Sequence, residues 1–201
     1  ITHHHADHQG GIAALLEHWQ AEVFGPGNES ITGCNRPLCG GETITVLGQP
    51  VSVMAVPGHT LGHLAFYVPG ALFCGDTLFG AGCGRLFEGT PAQMSHSLAQ
   101  IAALPDDTLV YCAHEYTEAN LRFAIAVEPL NAALRDRVKR VAELRVAGAS
   151  SVPSTLAEEM ATNPFLRSGE PAVIAAALEH AAVDRSKVAV FTAIRQWRNS
   201  F

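Results

Sequence analysis

The segment Thr2-His3-His4-His5-Ala6-Asp7-His8 restricts what this chain can fold into more than any other stretch, because it gathers four imidazoles and a carboxylate within six positions. Neutral imidazole and carboxylate are ligands that suit zinc, iron or manganese. His3 and His5 lie two apart, so in extended backbone they point to the same side. Asp7 and His8 fall at a predicted strand-to-helix turn and are placed to reach a second, adjacent ion. Behind them, Gly10-Gly11 leads into Ile12, Leu15, Leu16 and Trp19, whose spacing of three and four predicts a short helix with one apolar stripe. A histidine run near a chain start is often the scar of an affinity tag. A tag does not predict later partners, and this chain has them. His59 follows the β-like run Val51-Val56 in Val56-Pro57-Gly58-His59-Thr60, Asp76 follows Ala71-Cys74, and His114 follows Thr108-Cys112. Loops at strand ends are where a rigid scaffold gathers chemical groups.

Further β-like runs are predicted at Glu22-Phe24, Thr43-Leu47 and Leu64-Val68, most of them bounded by Gly, Pro or Asp turns, with one helical interruption near Met94-Ala103. From about Thr117 the pattern turns helical. Asn131-Ala147 carries Leu134, Val138, Val141 and Leu144 in register, and further helices are expected at Thr155-Met160, Pro171-Ala182 and Asp184-Phe201. Thr155 with Glu158 reads as a capping box. The switch places a boundary near residues 115 to 120, with a metal-binding α/β domain over 1–116 and a helical domain over 117–201.

With 201 residues, 48% of them hydrophobic and 16% charged, the chain can bury a sizeable core. A formal net charge of −6 argues against a general nucleic-acid or membrane-surface binder, and no apolar run is long enough to span a bilayer. Five cysteines, Cys34, Cys39, Cys74, Cys83 and Cys112, make an odd count without C-x-x-C spacing, which favours free thiols and a reducing, cytoplasmic setting. The richest motif begins at the second residue, so N-terminal strands outside this sequence are expected.

Taken in order, T-H-x-H-x-D-H, P-G-H-T, C-G-D-T-L-F, A-H-E-Y-T and Asn163-Pro164-Phe165 resemble the metallo-β-lactamase superfamily, and within it the hydroxyacylglutathione hydrolases (glyoxalase II). The resemblance implies an αββα sandwich, its first strands lacking here, followed by a small all-helical C-terminal domain. It implies two divalent metals, zinc first with iron or manganese as alternatives. His3, His5, His59 and Asp76 would hold one, and Asp7, His8, Asp76 and His114 the other, with Asp76 shared. His4, His18, His63, His96 and His180 match no ligand role. The implied reaction is hydrolysis of S-(2-hydroxyacyl)glutathione thioesters, chiefly S-D-lactoylglutathione, to glutathione and D-lactate, the second step of methylglyoxal detoxification. A hydroxide bridging the two metals would be the nucleophile, oriented by Asp76 and Asp7 as ligands. A thiol leaves readily, so strong general-acid help is not required.

Residues at the positions of Arg85, Phe87, Tyr116, Arg195 and Arg198 contact glutathione in that family. Arg195 and Arg198, three apart on the last helix, project from one face beside Val190, Ile194, Trp197 and Phe201, and two guanidiniums suit a carboxylate. Phe87 stands where some relatives have tyrosine, so one hydroxyl contact is lost. Cys83 lacks a base dedicated to it and is not read as a nucleophile. The expected assembly is a monomer acting on a small molecule, without nucleic acid or membrane. The competing readings keep the scaffold and change the reaction, to a lactonase, a β-lactamase or a single-iron persulfide dioxygenase, or reduce the chain to a non-catalytic metal-binding fragment.

Overall fold

The computed structural model describes residues 1–181 and 184–201, so the expected helix end at Ala182 lies outside the described residues. Its centre is a six-stranded mixed sheet formed by β3 (Thr43–Val46), β4 (Gln49–Ala55), β5 (Leu64–Val68), β6 (Ala71–Gly75), β9 (Leu109–Cys112) and β10 (Ser154–Thr155). Strands β3 to β6 form an antiparallel meander, β6 pairs with β9 in parallel, and β10 closes the edge antiparallel to β9. A parallel pair needs a long crossover, and helix α3 (Pro91–Ala102) lies in the one that joins β6 to β9. Two shorter ribbons flank the sheet: parallel β1 (Phe24–Pro26) with β2 (Arg36–Leu38), and the hairpin β7 (Leu78–Phe79) with β8 (Gly82–Cys83).

Both faces of the sheet are apolar. Ala65, Leu72, Cys74 and Val110 join Met94, Leu98 and Ile101 of α3 in one core, which continues through Phe123, Val190, Phe191 and Ile194. The last four belong to α4 (Thr117–Val127) and α8 (Lys187–Ser200), so the helical half is packed into the same core as the sheet. The helical half also contains α5 (Ala132–Val146), α6 (Leu156–Thr162) and α7 (Pro171–His180). The opposite face carries Val53 and Leu64 against Leu38, then opens into an apolar groove of about 630 Å³ lined by Ile12, Leu15, Leu16, Val51, Phe66 and Phe73.

Helix α1 (Ala6–Gln9) is a single turn, and α2 (Ile12–His18) follows it as expected. Of the α2 stripe only Ile12 is buried; Leu15 and Trp19 remain 57% and 61% exposed. The stripe faces the open groove, which no described element covers. Among the strands, Glu22-Phe24 is displaced: β1 starts at Phe24, where pairing with β2 begins. The ribbons and β10 are two or three residues long and carry no alternation by which a sequence could announce them.

Caps decide two helix starts. Thr90 and Gln93 form a complete capping box ahead of Pro91, so α3 begins earlier than its apolar spacing indicates. Thr155 caps α6 through the Glu158 amide, but the Glu158 carboxylate turns to Arg137, 3.4 Å away, and Arg140. Only half of the expected capping box therefore forms.

The two halves are pinned by one carboxylate. Glu159 is fully buried; it accepts hydrogen bonds from Arg137 and from Ser154 Oγ (2.7 Å), from the Ala81 amide (2.9 Å) and from Asn163 Nδ2 (3.0 Å). Asn163 Nδ2 also donates to the Phe79 and Gly82 carbonyls at 3.2 and 2.9 Å. The β7–β8 turn, where Ala81 adopts a left-handed φ of 53°, is thus held from the helical side. Replacing Glu159 with Ala leaves the buried Arg137 only the longer ion pair with Glu158 and removes the acceptor of Ser154, Ala81 and Asn163, and chemical denaturation should record a loss of about 3 kcal/mol.

Candidate metal centre

The residues of the candidate site lie on the single-turn α1, on the irregular segment before it and on the connections that follow β4, β6 and β9. Thr2 to His5 run beside the start of β5, where the Leu64 amide donates to the Thr2 carbonyl at 2.8 Å. Asp7 and His8 lie on α1, His59 on the β4–β5 connection, Asp76 directly after β6 and His114 shortly after β9. Gly75 makes the Asp76 turn possible: its φ is 49°, and a Cβ there would lie 2.7 Å from Thr2 Oγ1 and 2.8 Å from the His63 ring.

Three imidazole nitrogens converge on one side. His5 Nδ1 lies 3.0 Å from both His3 Nε2 and His59 Nε2. His59 Nδ1 donates to the Arg85 carbonyl at 2.8 Å, which fixes the tautomer and leaves Nε2 with a free lone pair. On the other side, His114 Nε2 and His8 Nε2 each stand 3.4 Å from Asp7 Oδ2. Asp76 lies between the groups. Its Oδ2 is 3.4 Å from His59 Nε2, and its Oδ1 is 3.2 Å from His8 Nε2 and 3.5 Å from His114 Nε2. His8 Nε2 and Asp76 Oδ1 are buried, yet neither makes a hydrogen bond. Buried polar atoms without partners are costly, and a cation between them would satisfy both. This donor set fits two divalent ions.

All seven residues expected as ligands therefore meet in one place. His63 lies in none of the donor groups. It is fully buried, accepts from the Asp76 amide at 3.1 Å, faces Thr77 Oγ1 at 3.3 Å and stacks on His3 at 4.6 Å. Its work is to support Asp76 and His3, which four-residue spacing from His59 does not reveal. His18, His96 and His180 are exposed and remote from the cluster, His180 stacking on Trp197. The five cysteines are free thiols; burial pushes the Cys83 thiol up, against a nucleophilic role.

Beside the cluster, the exposed Phe87 ring stands edge-on to His5 and His59, with centroids 5.5 and 5.2 Å away. Tyr116 stacks on His114 at 5.0 Å and is half exposed. Arg195 is enclosed: it donates to the Cys83 carbonyl (3.0 Å) and Asn199 (3.1 Å), with its guanidinium 5.1 Å from the Phe165 ring centre and its Nε without a partner. Arg198 reaches Asn120 at 3.5 Å. Burial, followed by the positive charges of Arg195, Arg122 and Arg85, lowers the pKa of Arg198.

Fold and site together define a member of the metallo-beta-lactamase superfamily, and the family model of that description matches residues 1–114. A second, described as "Hydroxyacylglutathione hydrolase C-terminus", matches residues 115–201. A hydroxyacylglutathione hydrolase of Dechloromonas aromatica is 70% identical over all of this chain and 81% of its own length. The chain belongs to the hydroxyacylglutathione hydrolase family. Among solved structures, ETHE1 from Myxococcus xanthus aligns with a TM-score of 0.63 at 27% identity, over 99% of this chain and 75% of its own. TTHA1623 in a di-iron-bound form aligns with a TM-score of 0.55 at 27% identity, over 82% of this chain and 75% of its own. This kinship does not favour the lactonase, β-lactamase, dioxygenase or non-catalytic readings. No helix among the described residues is long and apolar enough to cross a membrane.

Burial holds the His63 imidazole at about 3 and also pushes His3 and His59 below the ordinary value of 6.5. These rings are neutral near pH 7, the form that ligates metal. Their folded values lie below the unfolded one, so their contribution to stability is complete above about pH 6.5 and is lost as pH falls from there towards 3. Thermal melts of metal-free protein should show Tm falling between about pH 6.5 and 5, and less steeply in His63→Gln. An equal slope in the variant would contradict the assignment.

Proposed function

We propose that this chain hydrolyses S-(2-hydroxyacyl)glutathione thioesters, chiefly S-D-lactoylglutathione, releasing glutathione and D-lactate. The observation that carries the reading is the division of one carboxylate, Asp76, between two groups of histidines. His3, His5, His59 and Asp76 would hold one ion, and Asp7, His8, Asp76 and His114 the other. Zinc is the ion we assign, with iron or manganese compatible with the same donors. When bound, such a pair supplies a water acidic enough to serve as a nucleophile near neutral pH and a Lewis acid for the carbonyl oxygen.

The chain's own residues do the rest. Asp76 and Asp7 keep the donor groups at fixed separation. Phe87 and Tyr116 stand beside the imidazoles as ring walls against which the glutathione moiety would pack. Arg85, Arg195 and Arg198 present positive charge for the glycine carboxylate of glutathione, with Arg198 the direct contact and Arg195 enclosed beneath it. No general acid is needed, because the thiol departs at a reference pKa of about 8.5. In this reading residues 1–116 carry the reaction and residues 117–201 the glutathione site, in a cytoplasmic monomer acting on a small molecule.

The test is loss of thioester absorbance with S-D-lactoylglutathione, before and after metal stripping. Turnover should vanish on stripping and return with zinc, iron or manganese; a folded, metal-loaded protein without turnover would refute the substrate. Changing Arg198 to Ala should raise KM about tenfold or more with kcat nearly unchanged, because a remote charged contact is removed. A fall confined to kcat would place Arg198 at the reacting carbonyl instead.

A further inference from the structure

Glu29 lies in the loop between β1 and β2, far from the metal motifs in sequence, yet its carboxylate is 5% exposed and fully engaged. Oε2 accepts from the His4 amide at 2.8 Å and faces His4 Nδ1 at 3.0 Å. Oε1 accepts from the Gly62 amide at 2.7 Å. His4 separates His3 from His5, and Gly62 stands three residues after His59. One carboxylate therefore ties together the two backbone segments that carry the three converging imidazoles.

The surroundings are built for this contact. A Cβ on Gly62 would lie 2.2 Å from Asn28 Oδ1 and 2.6 Å from Glu29 Cγ, so only glycine lets the loops approach so closely. His4 Nε2 continues to Glu88 Oε1 at 3.3 Å, and Glu88 Oε2 accepts from the Leu61 amide at 2.9 Å. The Phe87 and Gly89 amides complete the seam on the His59 and Gly58 carbonyls at 3.2 and 3.1 Å. His4, Glu29 and Glu88 have the composition of a cation site. Both Glu29 oxygens are already taken by N–H donors, which gives the group a clamping role.

We propose that Glu29 is a positioning residue of the metal centre, setting the separation between the His3–His5 segment and the His59 loop and so the affinity of the ion held by those three histidines. The proposal rests on the ligand assignment given above. Glu29 touches neither substrate nor metal. A carboxylate is required because three N–H donors converge on it. Glutamine keeps the shape but turns an NH2 group toward one of those donors, and aspartate is too short to reach both segments.

The test uses zinc itself, titrated against a chelator into metal-free wild type, Glu29→Gln and Glu128→Gln. Glu128→Gln disrupts a buried ion pair with Arg167 in the helical half and serves as the control for general destabilisation. Wild type should bind two zinc ions per chain; fewer would overturn the ligand assignment, and the proposal with it. In Glu29→Gln one ion should weaken about 10–100-fold while the other keeps its affinity, the range expected when a group that orients ligands is changed. Thioester turnover should then lose kcat at subsaturating zinc, with KM unchanged and kcat recovered at high zinc. Affinities of both ions unchanged, or both reduced in step with Glu128→Gln, would overturn the proposal with the ligand assignment intact. If Glu29→Gln does not melt cooperatively, Gly62→Ala displaces the same carboxylate and should weaken the same ion; failure of both to fold makes Glu29 a stability residue and also overturns it.

Discussion

Asp76 occupies a position that would be untenable in an ordinary core. It is 7% exposed and is approached by imidazoles from two sides, and its Oδ1 lacks a hydrogen-bond partner. A buried carboxylate in that state costs several kcal/mol unless positive charge compensates it. Among the described residues no arginine or lysine forms an ion pair with Asp76: the buried Arg137 is engaged by Glu159, and Arg195 by Cys83 and Asn199. In the proposed assignment, cations held by the surrounding donors would supply that compensation. The left-handed Gly75, the buried neutral His63 beneath Asp76 and the Arg85 carbonyl on His59 are all arranged around that requirement.

The scaffold gathers the candidate donors from four separate segments and braces them from outside. The sheet supplies the ends of β6 and β9, while Glu29 and Glu88 clamp the loops that carry His3, His5 and His59. From the helical half, Glu159 and Asn163 hold the β7–β8 turn that follows Asp76. That turn leads to Cys83, whose carbonyl fixes Arg195, and then to Arg85 and Phe87. The bracing of the metal donors and the placement of the cationic patch are therefore continuous, which suits a substrate that must be held at a remote carboxylate while its carbonyl is attacked at the ions.

Much of this was legible in the sequence because the motifs encode local geometry. Two histidines at strand spacing, an Asp-His turn and single ligands after β-like runs leave few ways to converge, and all seven met. Long helices, such as α5, and short apolar runs between turns, such as Leu64–Val68, were placed closely. What stayed hidden was set by tertiary contacts. The two-residue strands have no period to detect, the Thr155 box lost its second half to a pair of arginines, and the α2 stripe faces a groove left open among the described residues. Glu29 and His63 carry no motif, because their roles come from loops that meet only in the fold.

In the proposed assignment Asp76 is shared by two ions. Anomalous diffraction from crystals of the zinc-loaded protein tests it most directly. Two anomalous peaks are expected per chain, one among His3, His5, His59 and Asp76, the other among Asp7, His8, His114 and Asp76. A single peak, or two peaks of which only one contacts Asp76, would contradict it.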